Sequence, residues 1–382
     1  MNIIIKDENK LISIFKAIAW LDEKRWGIEE NYDVIKFPES FTNCEKILTH
    51  WICYITNRQM PFESVWEQGG KVLSHILYEY SRNKSLPQAI LDEHYKGELD
   101  DKGNKRFKFS SINDTYASRY VTDDYQSIKQ TLEFLDDPKY QRNIIAYILD
   151  IIRRYKDKDD LLIRVACGLH LMTYQLYKKK ADYKKALAIV NDSDKFEENL
   201  SDFTKTSTTG KKRLWCCIRD YKKGPYYKIF KEATKETASY EEGLINIWDN
   251  LPMNQLELPG DVWNNKPIFK DNIFAKVVAF DFSNEEAPKI IRELYKRLRG
   301  SEEMLSYYPE QFDITFDFVP RMCSKKLCKI CLFGENGIEK ICIPAYDKYC
   351  PVALISCGYI VDCIESKCIL KENFAKGICK EI

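Results

Sequence analysis

Apolar side chains recur at helical spacing through most of the first two hundred residues, separated by short polar stretches. In 45–58 they return every three or four residues, a period that predicts an amphipathic helix. Polar runs at 98–112 and 191–212 predict exposed loops or linkers, because they are rich in polar and turn-forming residues. The helical period returns in four further stretches: 64–82, 124–136, 138–155 and 160–189.

The second half of the chain is less regular. A helix is predicted at 213–233 with an interruption near Gly224-Pro225, because proline cannot continue a helix interior. Residues 250–268 contain three prolines and predict irregular structure, and a further helix is predicted at 284–299. Strand-like alternation is best developed in 312–319.

These elements predict a mainly α protein, with one or more multi-helix domains followed by a cysteine-rich, metal-binding C-terminal segment. We expect an N-terminal helical region at 1–120 and a helical domain with a candidate catalytic loop at 121–310. The cysteine-rich tail is expected at 311–382.

The composition and charge of the chain favour a soluble globular protein. Hydrophobic residues make up 45% and charged residues 31% of the 382 residues, as in soluble globular proteins. The formal net charge of +1 argues against a protein that coats nucleic acid by bulk charge. No apolar run is long enough to span a bilayer, and the charged N-terminal stretch lacks the features of a signal peptide. A cytoplasmic protein without a membrane partner is therefore expected.

Nine of the fourteen cysteines lie in the last sixty residues, and three of them have the spacing Cys323-x4-Cys328-x2-Cys331. In a reducing cytosol, clustered thiols more often bind metal than form disulfides. The histidines all lie far upstream, so a local zinc finger with two cysteines and two histidines is excluded. An all-cysteine site is predicted instead.

A predicted turn at 334–337 makes Cys342 the first choice for a fourth metal ligand, with Cys350 as the alternative. Structural zinc ribbons usually have two matched Cys-x2-Cys pairs, whereas this tail has one. Iron–sulfur sites accept one such pair with single outlying ligands, so the spacing favours iron–sulfur over zinc and leaves the cluster type open.

A basic segment joins the polar loop at 191–212 to the helix predicted after it. Basic side chains interleaved with aromatic ones suit a nucleic-acid backbone and exposed bases. An alternative interpretation is a solvated amphipathic helix whose aromatic residues face the core. The candidate nucleic-acid contacts are Lys205, Lys211, Arg213, Trp215 and Arg219.

Gly210-Lys211-Lys212 before a predicted helix, a later aspartate and a trailing cysteine cluster resemble the helix-hairpin-helix DNA glycosylases. The resemblance covers about residues 130–345. It implies a DNA glycosylase/lyase that acts on a modified or damaged base and carries a [4Fe–4S] cluster. Lys212 would be the nucleophile that forms a Schiff base with the sugar, and Asp261 would be the assisting carboxylate. Asp220 remains an alternative carboxylate.

Two other functions are compatible with the same residues. The first is a non-catalytic nucleic-acid-binding or assembly protein in which a four-cysteine metal site, with zinc as the alternative metal, stabilises the tail. The second is a redox or radical enzyme. It is disfavoured because the chain has neither the Cys-x3-Cys-x2-Cys spacing of radical enzymes nor a glycine-rich dinucleotide loop.

Overall fold

A computed structural model describes a subset of the 382 residues, concentrated between 125 and 257. The described residues are 3–9, 11–12, 37, 39–56, 73, 77, 98–99, 105–106, 125–173, 183–206, 208–224, 226–238, 242–257, 278–280, 292–295 and 297.

Two compact units form from discontinuous stretches of chain. The first comprises residues 1–31, 207–215 and 252–382, and the second comprises 32–206 and 216–251. The domain boundaries predicted at residues 120 and 310 lie outside the described residues and stay predictions.

The described part of the chain is mostly helical, which confirms the predicted fold class there. The cysteine-rich segment at 311–382 lies outside it. In chain order the helices are α1 (Asn43–Thr56), α2 (Tyr125–Leu135), α3 (Ile144–Tyr155), α4 (Leu161–Thr173), α5 (Tyr183–Asn191), α6 (Ser193–Lys205), α7 (Thr208–Lys222), α8 (Tyr227–Ala238), α9 (Glu242–Ile245) and α10 (Ile247–Asn250), and a 3₁₀ turn follows at Met253–Gln255.

The second unit is built around α3, whose buried face is largely isoleucine and tyrosine. This helix packs against α4 and α8, and α8 packs in turn against α1. The hydroxyl of Tyr147 donates a 2.5 Å hydrogen bond to the Gly168 carbonyl of α4. A β-carbon at Gly168 would lie only 3.1 Å from Ile151 and from the Tyr147 hydroxyl, so glycine permits this close approach.

The helix predicted at 138–155 begins six residues later than its pattern indicated, at Ile144. Before it, Gln141 and Arg142 have φ of 51° and 64°, which places them in the left-handed region and forms a turn. The Asn143 side chain then accepts from the backbone N–H groups of Ile145 and Ala146 at 2.9 and 3.3 Å. An N-cap of this kind fixes where a helix begins.

The prediction of a loop at 191–212 was wrong, because most of that stretch forms α6 and the start of α7. The Asp192 side chain caps α6 by accepting from two backbone N–H groups. The segment is polar overall, but it contains an apolar stripe at helical spacing, and the three residues of that stripe, Phe196, Leu200 and Phe203, are buried. Phe196 stacks on Tyr155 of α3 with ring centroids 4.8 Å apart.

Other predicted boundaries are partly confirmed. The helices predicted at 45–58 and 124–136 are α1 and α2, and the break near Gly224 separates α7 from α8 as predicted. The pattern at 160–189 divides into α4 and α5. The strand predicted at 312–319 lies outside the described residues.

Two short antiparallel strand pairs complete the described structure. In the first unit, β1 (Ile3–Ile5) pairs with β4 (Val278–Phe280), with Ile4 opposite Ala279. In the second unit, β2 (Glu98–Leu99) pairs with β3 (Lys105–Arg106), so the loop predicted at 98–112 contains a short antiparallel strand pair.

Candidate functional site

The candidate catalytic lysine lies inside a helix rather than in a loop. Since α7 begins at Thr208, the sequence Gly210-Lys211-Lys212 is helical, and the helix starts five residues before the position predicted from periodicity. Successive helical residues are rotated by about 100° about the axis, so Lys211 and Lys212 face different directions. Lys211 is buried, whereas Lys212 is half-buried.

Lys211 belongs to a charged cluster in the first unit, which we call the Glu257 cluster (Lys211, Glu257 and Arg292). The Nζ of Lys211 lies 3.4 Å from one oxygen of Glu257, and Nη2 of Arg292 lies 2.7 Å from the other. The Lys211 side chain is only 1% exposed. Two cations therefore surround one carboxylate beside the first turns of α7.

The structure separates the predicted nucleic-acid contacts into two groups. Lys205 is exposed at the end of α6, and Arg213 is half-buried on α7. Lys211, Trp215 and Arg219 are buried, with 1%, 0% and 3% of their surface exposed. A DNA backbone cannot reach these three side chains in this conformation, so their assignment as DNA contacts is corrected.

A second set of buried polar groups joins α1 to the C-terminal half of α7, within the second unit. The Tyr54 hydroxyl donates a 2.6 Å hydrogen bond to Oδ2 of Asp220, and Nε of Arg219 donates to Oδ1 at 3.3 Å. His50 Nε2 lies 3.6 Å from Oδ2, an ion-pair distance longer than a hydrogen bond. We call these four residues, each 3% exposed or less, the Asp220 network.

The other side of the His50 ring is occupied as well. Its Nδ1 lies 3.1 Å from the Tyr221 hydroxyl and 3.7 Å from Cys217 Sγ. The Tyr226 ring packs over the imidazole, with centroids 3.6 Å apart and planes inclined by 34°. His50 is thus enclosed by groups from α1, α7 and the turn before α8.

Burial and charge set the protonation of this network. Burial lowers the pKa of His50 by more than Asp220 raises it. Burial alone would raise the pKa of Asp220, but His50 and Arg219 outweigh it and hold that pKa below its usual value. At neutral pH, an ionised Asp220 therefore balances Arg219, and the imidazole is neutral.

Cys217, His50 and Asp220 have the residue types of a nucleophilic triad, but their surroundings do not suit that chemistry. A reactive cysteine needs a lowered pKa and access to substrate. Burial raises the pKa of the Cys217 thiol well above its ordinary value, and its side chain is inaccessible. This network therefore stabilises the packing of α1 against α7, and Asp220 does not have the exposure of a working carboxylate.

Sequence reasoning missed the Asp220 network, although part of its signal was present. His50 and Tyr54 are four residues apart, so they share one face of the helix predicted at 45–58. Their partner Asp220 lies 166 residues beyond Tyr54, and no local pattern connects the two.

Several predicted site residues lie outside the described residues and stay predictions. They are Asp261 and the proposed metal ligands Cys323, Cys328, Cys331, Cys342 and Cys350. Within the described ranges, no group of three or more His, Cys, Asp or Glu side chains is arranged to hold a metal ion.

No family model, curated protein or solved structure matches this chain. Of the helices in the described ranges, none has the length and apolar character needed to cross a bilayer.

Proposed function

We propose that this chain is a DNA glycosylase/lyase that acts on a modified or damaged base. The observation that carries the proposal is the position of Lys212, half-buried in the second turn of α7 and directly after Lys211 of the Glu257 cluster. A lysine becomes a nucleophile near neutral pH when burial or nearby positive charge lowers its pKa. Lys212 is half-buried, and the cations Lys211 and Arg213 flank it along α7.

In the proposed reaction the neutral amine of Lys212 attacks C1′ of the deoxyribose. The N–C1′ bond forms as the glycosidic bond breaks, and the base leaves with the bonding electrons and takes up a proton. A carboxylate near the sugar stabilises the positive charge that develops there, and Asp261 is proposed for this role. The ring then opens to a Schiff base between Lys212 and C1′.

DNA contact is assigned to accessible cations. Lys205 is 72% exposed at its side chain and lies three residues before α7 begins. Arg213 is half-buried one residue after Lys212. Such side chains hold phosphates and place the duplex, but they carry no sequence information. An extruded base would be held separately, because chemistry on a paired base requires it to leave the stack.

The proposal includes a [4Fe–4S] cluster bound by Cys323, Cys328, Cys331 and either Cys342 or Cys350, with zinc as the alternative metal. The support for it is the cysteine spacing and the family resemblance. The cluster is assigned a structural role in holding the tail, and no chemical step involves it.

The burial of Lys211 favours a second candidate, a non-catalytic nucleic-acid-binding or assembly protein. Lys211 lies against Glu257 in the interior, so part of the basic segment stabilises the fold. In such a protein Lys212 would contribute charge alone, and replacing it would weaken binding without removing any reaction.

Measuring base release and strand cleavage separately distinguishes the two candidates. The full-length protein, purified anaerobically, is incubated with end-labelled duplexes that each contain one uracil, one 8-oxoguanine or one abasic site. We expect cleavage of at least one duplex without alkali and loss of that cleavage in Lys212→Gln. The cleavage should be retained in Lys235→Gln, which replaces an exposed lysine of α8 outside the proposed DNA contacts. Duplex binding without base release or cleavage on any substrate would reject the enzyme and support the second candidate.

A further inference from the structure

Lys222, the last residue of α7, has an amine held in an unusual position. Its Nζ donates a 2.6 Å hydrogen bond to the backbone carbonyl of Trp248. The same nitrogen lies 5.7 Å from the centroid of the Trp248 indole. The side chain is half-buried, so it is only partly removed from water.

The apolar wall against this amine is rigid. Trp248 of α10 is 3% exposed, and its indole Nε1 donates to the Tyr221 carbonyl at 3.1 Å. Its ring also packs on Phe230 of α8, with centroids 4.6 Å apart. Three helices of the second unit therefore fix both the carbonyl and the ring that face Lys222.

The carboxylate that attracts this amine, Asp249, is already engaged by other groups. Asp249 Oδ2 lies 2.7 Å from the Nζ of Lys231, and Oδ1 accepts a 3.1 Å hydrogen bond from the Tyr227 hydroxyl. On its own helix, Lys222 follows the buried pair of Arg219 and Asp220, whose charges balance. Among the described residues, no carboxylate lies within ion-pair distance of Lys222.

Desolvation consequently outweighs the attraction of Asp249. Burial lowers the pKa of Lys222 to about 8, and Asp249 opposes this only in part. At pH 7 the neutral fraction of such an amine exceeds that of an ordinary lysine by on the order of 100-fold. A neutral amine keeps two N–H donors, so one can still bond the Trp248 carbonyl while the lone pair points elsewhere.

We infer that Lys222 is a carbonyl-reactive amine that forms reversible imines with aldehydes. The nitrogen attacks the aldehyde carbon, and a carbinolamine forms as the carbonyl oxygen takes a proton. The hydroxyl group and the remaining N–H proton then leave together as one water molecule, which gives a C=N bond, so no oxidant or reductant is consumed. This site is separate from Lys212 and does not rest on the proposed glycosylase activity.

Reductive labelling of the intact protein tests the inference. Propionaldehyde and cyanoborohydride, which delivers a hydride to the imine, are used at limiting concentration, and labelled lysines are quantified by peptide mass spectrometry. The matched reference is Lys228, an exposed lysine on α8. At pH 7 we expect Lys222 to be labelled about 10-fold faster than Lys228. More of the Lys222 amine is neutral, but an amine of lower basicity is also a weaker nucleophile, so the gain in rate is smaller than the gain in neutral amine.

The pH profile and one pair of variants complete the test. The Lys222 rate should reach half its maximum near pH 8. Asp249→Asn removes the carboxylate that favours the charged amine and should shift this midpoint to lower pH. Asp202→Asn, on the exposed face of α6, should leave it unchanged. The inference is overturned if Lys222 reacts no faster than Lys228 at pH 7, or if Asp249→Asn leaves the midpoint in place. It is also overturned if the Lys222 rate still rises past about pH 10, where an ordinary lysine titrates.

Discussion

Removing the hydroxyl of Tyr54 tests whether the Asp220 network stabilises the second unit. The Tyr54→Phe variant keeps the ring and deletes the hydroxyl that donates to Asp220. Their 2.6 Å bond reaches an ionised acceptor and is buried at both ends. Bonds of this charge-assisted kind contribute about 1.5–3 kcal/mol, so we expect the free energy of unfolding to fall by about 2 kcal/mol.

Tyr227→Phe is the matched control, because it removes a 3.1 Å hydrogen bond to a carboxylate near the surface. Water replaces that bond, so the expected loss is about 0.5 kcal/mol or less. Urea unfolding followed by far-UV circular dichroism gives the midpoint and slope for each variant. With a slope near about 3 kcal/mol/M, Tyr54→Phe should lower the midpoint by roughly 0.7 M. Equal losses in the two variants would refute the view that burial of Asp220 sets the strength of the bond.

Three further predictions follow from the described contacts and the cysteine spacing. The pKa of His50 is lowered in the folded state, so its contribution to stability is complete above its unfolded pKa of about 6.5 and is lost as the pH falls below that value. The free energy of unfolding, measured in urea, should therefore fall by up to about 1.4 kcal/mol per pH unit on acidification, and His50→Gln should flatten this dependence. Gly168→Ala should destabilise the protein by about 1–2 kcal/mol because its β-carbon would lie 3.1 Å from α3, whereas Gly243→Ala should stabilise it by about 0.5–1 kcal/mol because nothing lies within 4 Å. A change of the same sign for both variants in thermal unfolding would contradict the packing argument. Anaerobically purified protein should contain about four irons per chain by metal analysis, a content lost in Cys331→Ser and kept in Cys44→Ser, and zinc in place of iron would reject the cluster.

Periodicity predicted the helices whose apolar stripes are strong and whose ends carry clear breaks. The stripe in 45–58 and the glycine and proline after α7 are local signals, and both elements formed where predicted. The helix α6 was missed because its stripe of three apolar residues is surrounded by Asp, Glu, Lys and Ser. Composition suggested a loop there, although the Asp192 cap and the spacing of the stripe specify a helix.

The candidate site was less predictable, because burial is decided by partners that are distant in sequence. A basic segment indicates cations, but it does not show which of them the fold will enclose. Lys211 is buried where it pairs with Glu257, and Arg219 is buried where it pairs with Asp220, which also accepts a hydrogen bond from Tyr54. Only tertiary packing separates these structural cations from the accessible Lys205 and Arg213.

Borohydride trapping on DNA with peptide mapping tests the central claim most directly. The full-length protein is incubated with a duplex that carries one abasic site, and the imine is reduced to a stable amine. We predict a covalent adduct on the peptide that contains Lys212, lost in Lys212→Gln and retained in the control variant Lys235→Gln, at an exposed lysine of α8. An adduct that persists in Lys212→Gln, or that maps to another lysine such as Lys222, would contradict the assignment of Lys212 as the nucleophile.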